Sequence, residues 1–92
     1  MQEQTGPRFL EDFRGLDRDQ RERAQRCMTE IRADPLTLRE GWRLLPFPFQ
    51  PGTTVASLGD IDIRFVVKLD ATGEPVALVW LRAVVRDDPF VR

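Results

Sequence analysis

Three arginines in the second half of the chain, Arg64, Arg82 and Arg86, together with Asp62, are the residues whose types suit chemistry. A guanidinium presents a planar fork of N–H donors that matches two oxygens of a phosphate or carboxylate. Gathered on one surface, such groups grip a phosphodiester and stabilise the charge that develops when it is attacked. Histidine is absent and Cys27 is the only cysteine. These counts exclude a histidine base, a histidine metal ligand, a Ser-His-Asp triad, an intramolecular disulfide and a cysteine metal cluster. Lys68 is the only lysine. With a net charge of −1, the field of the whole molecule does not draw nucleic acid, so any basic surface must be local.

The segment that positions these arginines runs from Gly59 to Phe90, GDIDIRFVVKLDATGEPVALVWLRAVVRDDPF. Ile61, Ile63, Phe65, Val67 and Leu69 alternate with Asp62, Arg64, Val66 and Lys68, the two-residue period of a strand with one buried face. Asp70-Ala71-Thr72-Gly73-Glu74 supplies turn chemistry, with Gly73 free to take a positive φ. Pro75 opens a second strand, and Val76 to Val85 is apolar at almost every position, as expected of an interior strand. Pairing Asp70 with Glu74 across a loop of Ala71 to Gly73 places Asp62 opposite Arg82 and Arg64 opposite Trp80. That register predicts one ion pair and one cation–π contact, each worth roughly 0.2–1 kcal/mol, and a different loop shifts it.

The first half reads as two helices. Phe9, Leu10, Phe13 and Leu16 share one side of a short helix that Pro7 begins and Gly15 ends. Asp17 is an N-cap with Gln20 completing a capping box, and Ala24, Cys27, Met28 and Ile31 form an apolar stripe that buries an inert thiol. The opposite side, with Arg18, Arg21, Glu22, Arg23, Arg26 and Glu30, is a solvated face. Asp34-Pro35 stops the second helix. Trp42 to Leu45 is a short extended segment, Phe47 and Phe49 between prolines are expected to pack over the core or to line a partner groove, and Thr53 to Leu58 is strand-like before a Gly59-Asp60 turn. Met1 to Thr5 is polar and lacks the alternation that marks a strand. At 92 residues and 41% apolar, residues 1–92 are expected to form one domain around one core. No apolar run is long enough to span a membrane, and Met1 to Pro7 does not read as a secretory signal, so the expected compartment is the cytoplasm.

In the order of these elements the chain resembles the RelE/ParE toxin superfamily of bacterial toxin–antitoxin systems. The resemblance covers roughly residues 8 to 90: the helical hairpin FLEDFRGLDRDQRERAQRCMTEIRADP, a loop with GWRLLP, the GDIDIRFVV strand, the acidic-glycine turn, and a last strand running into VVRDDPF. It implies an α+β fold in which a two-helix hairpin packs on a small twisted antiparallel sheet of three to four strands. Many members cut messenger RNA in the ribosome, others poison DNA gyrase, and an antitoxin covers the active surface. For this chain the resemblance therefore implies an antitoxin partner and the ribosome or RNA as target; beside it, no cofactor, metal or membrane is expected, and a homodimer is compatible with the chain.

Carried over residue by residue, the resemblance is uneven. RNA-cleaving members often place an arginine where this chain has Asp62, and a histidine or lysine before an arginine where it has Val85 and Arg86. A tyrosine four residues further on corresponds to Phe90, which transfers no proton. The candidate catalytic residues are thus Arg64, Arg82 and Arg86. Two functions follow as expectations: a toxin-like component of a type II toxin–antitoxin system, acting as a ribosome-dependent mRNA endonuclease with an arginine-lined phosphate-binding face, and a non-catalytic relative that serves as a protein-interaction module.

Overall fold

Proline fixes φ near the helical value and forgoes an N–H that the first turn does not use. The computed structural model, which describes residues 1–44 and 52–86, accordingly starts helix α1 (Pro7–Arg14) at that residue. Gly15 closes it, its N–H donating to the carbonyls of Glu11 and Asp12. Helix α2 (Arg18–Ala33) begins at the expected capping box: Asp17 Oδ1 accepts the Gln20 N–H at 2.8 Å, and Gln20 Oε1 accepts the Asp17 N–H at 2.9 Å. Ala24, Cys27, Met28 and Ile31 are all buried, so the apolar stripe is the packed face. The helix ends before Asp34-Pro35.

The strands are β1 (Gln2–Thr5), β2 (Trp42–Leu44), β3 (Thr53–Leu58), β4 (Ile61–Leu69) and β5 (Pro75–Val85). They form one sheet in the order β1-β5-β4-β3-β2, with β1 parallel to β5 and the other pairs antiparallel. The α+β class is as expected, but among the described residues the sheet has five strands and is mixed, in place of an antiparallel sheet of three to four. The additional strand is β1. All four of its residues are exposed, so no apolar alternation betrays it, and what holds it is tertiary. Glu3 accepts the Trp80 indole N–H at 2.9 Å and receives Arg32 Nε on both carboxylate oxygens, at 3.0 and 2.9 Å. The Trp80 hydrogen bond, seconded by Arg32, holds the Glu3 carboxyl below its ordinary pKa against the opposing effect of burial.

Both helices pack on one face of the sheet, against Ile61, Ile63 and Phe65 of β4, Leu78 and Trp80 of β5 and Ala56 of β3. Phe65 meets Trp42 edge-on at 5.6 Å and Trp80 at 6.3 Å, aromatic geometries that favour a single packing arrangement. Phe9 and Leu16 reach this core, whereas Leu10 stays about half exposed. With Phe13 and Met28 it lines an open groove of about 390 Å³ between α1 and α2. The expectations for Phe47, Phe49 and Phe90 lie outside the described residues.

The turn at the end of β4 forms as expected. Gly73 takes φ +86°, Asp70 N–H donates to Glu74 O at 2.9 Å, and Asp70 Oδ1 accepts from the N–H groups of Thr72 and Glu74 at 2.8 and 3.0 Å. The register beyond it differs from the expected one. Strand β5 has 11 residues against the 9 of β4, and the ladder skips Val76 and then Leu81. Asp62 therefore faces Val84, and Arg64 faces Arg82. The expected Asp62–Arg82 pair and Arg64–Trp80 contact are both replaced, because each skipped residue advances β5 by one position. Arg32, from α2, is the cation that lies over Trp80, at 5.3 Å.

Two outcomes follow. Asp17→Ala, which removes the acceptor of the capping box, is expected to cost about 1 kcal/mol, read as a lower urea midpoint with an unchanged slope. Burial, with Glu30 and Asp62 nearby, pushes the Cys27 thiol up to about 11, so at neutral pH a thiol-exchange reagent is expected to label it only as fast as the protein opens.

Candidate functional site: a charged row on the open face of the sheet

On β4, the side chains of Asp62, Arg64, Val66 and Lys68 point away from the helices. Among the described residues no helix covers that face, yet Thr53, Val55, Asp62 and Val66 on it are buried, so it opens to solvent toward its end at Arg86. Its geometry is set at the two-residue turn Gly59-Asp60, where Gly59 takes φ +61°. Such a turn fixes Ser57 opposite Asp62, and Ser57 Oγ–H donates to Asp62 Oδ1 at 2.6 Å. The turn is tied to α2 by Arg23, whose Nε and Nη2 donate to Asp60 Oδ1 at 3.0 and 2.7 Å. Burial raises the Asp60 pKa, but the Arg23 hydrogen bond and charge, helped by a backbone amide, bring it below the ordinary value.

Arg86 directly follows β5. Its N–H donates to Asp60 O at 2.8 Å, extending the ladder by one step and placing its side chain diagonally across from Asp62. A long side chain spans that diagonal. Arg86 Nε lies 3.0 Å from Asp62 Oδ1, and Nη2 donates to the Gly59 carbonyl. The Asp62 side chain is only 9% exposed, whereas that of Arg86 is 48% exposed, so the carboxylate lies beneath the cation.

Arg64 and Arg82 stand directly opposite each other, and like charges in that position repel. The repulsion is relieved by Asp12 at the end of α1. Arg82 Nε and Nη2 donate to its two carboxylate oxygens at 2.6 and 3.1 Å, and the Ala83 N–H adds a third bond at 3.0 Å. β1 pairs with β5 only over residues 77–80, so Asp12 takes up an amide that the ladder leaves open. Burial raises the Asp12 pKa, yet the Arg82 bond and the Ala83 amide outweigh it and hold the carboxyl below its usual value. The same bond raises Arg82.

The three arginines expected to act together are therefore divided. Arg64, half-buried between Val55 and Arg82, and Arg86 share the open face, while Arg82 is engaged with Asp12. Asp62, which stands where the resemblance leads one to expect an arginine, is the junction between Ser57 and Arg86. Ser57 and Asp60 were legible in principle, because a two-residue turn fixes the residues on either side of it. Asp12 was not: it lies 70 residues from Arg82 in the chain, and no local pattern links them.

A chain of the crystal structure of the toxin–antitoxin complex RelBE2 from Mycobacterium tuberculosis superposes with a TM-score of 0.68, over 92% of this chain and 96% of that one, at 16% sequence identity. The chain has a RelE/ParE-like fold. No protein-family model and no curated protein matches it. At 16% identity the likeness speaks for architecture, and the side chains of the open face must be judged on their own geometry. Among the described residues no helix is long and apolar enough to cross a membrane.

The Asp12–Arg82 pair yields a test with a definite sign. A carboxyl whose folded pKa lies below its unfolded value of about 3.9 contributes stability above that pH and loses it as pH falls through the folded value. The stability gap between the wild type and Asp12→Asn is thus expected to be constant at neutral pH and to narrow below about pH 4. At neutral pH a cycle of Asp12→Ala and Arg82→Ala is expected to show coupling of about 1–2 kcal/mol by urea denaturation, above that of Asp62→Ala with Arg82→Ala.

Proposed function

We propose that this protein is the toxin-like member of a toxin–antitoxin pair and that it acts on RNA through the open face of its sheet. Arg86 and Arg64 hold phosphate groups there, and the reaction is cleavage of messenger RNA by attack of a ribose 2′-hydroxyl. The observation that carries this reading is Arg86: an arginine anchored at backbone and side chain, yet with about half of its side chain open to solvent, on the face of a RelE/ParE-like sheet that no described helix covers. Orientation and charge stabilisation by the guanidinium groups carry most of the chemistry in this reading, since the face offers neither histidine nor tyrosine. An antitoxin partner and a cytoplasmic setting belong to the same proposal.

A second reading, a non-catalytic protein-interaction module on the same fold, is favoured by one observation: Asp62 already neutralises Arg86. Inducible expression in a bacterial host, with growth and ribosome profiling followed together, separates the two. The toxin reading expects growth arrest with cleaved messages, both abolished by Arg86→Ala. Absence of any growth effect in hosts that express the folded protein would sink it, and arrest without cleavage would move the target away from messenger RNA.

A further inference from the structure

A carboxylate on a face that binds phosphate repels the ligand unless it serves a cation that binds it. Asp62 is the only carboxylate that the described strands place on this face. It is also the more buried member of its ion pair, and its orientation is fixed from the other side by the Ser57 hydroxyl at 2.6 Å. The stereochemistry of the guanidinium then decides what remains available. Nη2 donates to the Gly59 carbonyl, and Asp62 Oδ1 lies 3.0 Å from Nε as an ion-pair partner, so both oxygens sit along the Nε/Nη2 side of the group. Of the five N–H donors of an arginine, the two on Nη1 and the second on Nη2 are left. These form the end-on fork, which still matches two oxygens of a phosphate.

We propose that Asp62 is the positioning residue of the phosphate site: it holds Arg86 by its side edge and so presents the Nη1/Nη2 fork to a phosphate of single-stranded RNA. The inference rests on the reading of this face as an RNA site and adds to it the residue that orients its principal cation. The chain from Ser57 through Asp62 to Arg86 orders the guanidinium before the ligand arrives, so a flexible side chain is not immobilised at the moment of binding. The opposing effect is the negative charge of Asp62 itself. It is compensated at 3.0 Å by Arg86, whose exposed half carries the water and salt that screen it toward a bound phosphate.

Two substitutions separate orientation from charge. Asp62→Asn removes the charge and weakens the hold on Nε, whereas Ser57→Ala keeps the charge and removes only the hydroxyl that fixes the carboxylate. Binding of a fluorescent single-stranded RNA oligomer is measured by anisotropy across a salt series, with thermal unfolding of each variant as the control for folding. Arg86→Ala is expected to weaken binding about tenfold or more and to lower the salt slope by about 0.7, the loss of one phosphate contact. Asp62→Asn is expected to weaken binding several-fold and to reduce the slope in the same direction. Ser57→Ala is expected to follow to a smaller degree, and Asp62→Asn combined with Arg86→Ala to be no weaker than Arg86→Ala alone. If Arg86→Ala weakens binding while Asp62→Asn and Ser57→Ala bind as tightly as the wild type or more so, the positioning role is overturned and Asp62 is a charge that masks the site. If the wild type binds no RNA, or Arg86→Ala binds as well as the wild type, the reading of the face fails, and this inference falls with it.

Discussion

The pairing of β4 with a strand two residues longer than itself is the constraint on which the open face depends. Two residues of β5 must drop out of the ladder, and they do so at Val76 and Leu81. The first skip follows the turn directly, while the second falls between Trp80 and Arg82. Below it Trp80 keeps its place in the core against Phe65; above it Arg82, Val84 and Arg86 share the opposite face with Arg64 and Asp62. A change of one position at Leu81 exchanges the two faces of everything that follows, because side chains alternate with a period of two. The bulge thus converts a sequence that is apolar at nearly every position into a strand with a core end and a charged end.

Once that register is set, the charges sort themselves by what lies within reach. Arg82 faces a second arginine and is drawn to Asp12. Arg86 lies diagonal to Asp62 and is drawn to it. Arg23 reaches the Gly59-Asp60 turn from α2 and holds the strand end on which both the Asp62 and Arg86 contacts rest. The helices thereby do more than cover the core: Asp12 from α1 and Arg23 and Arg32 from α2 each fix a charge at the sheet. A weakly acidic protein can present a cationic spot in this way, because the acidic partners are consumed on one side of a pair while Arg86 keeps half of its surface in water.

Much of the fold was legible in the chain. The capping box of α2, the Gly73 turn, the three strands from Thr53 onward and the interior place of β5 all follow from local chemistry, which is the kind of information a sequence carries directly. What was not legible has a common cause. β1 has no apolar pattern, because its stability comes from Glu3 meeting Trp80 and Arg32. The register above Trp80 depends on a bulge that no turn residue marks. The partner of Arg82 lies at the far end of the chain. Of the candidate residues, Arg64 and Arg86 share one face, and Asp62, which looked like a defect in that face, lies under its most exposed arginine.

The central claim is that this open face, at Arg86, is where the protein meets RNA. Titration of a short single-stranded RNA into isotopically labelled protein, followed by backbone and arginine side-chain NMR signals, addresses it without any assumption about cleavage. The account predicts that the signals that move first and farthest are those of Ser57, Asp62, Arg64 and the Arg86 guanidinium, with the outward sides of α1 and α2 little changed. Shifts confined to the two helices, or an Arg86 guanidinium signal that does not respond at saturating RNA, would contradict it.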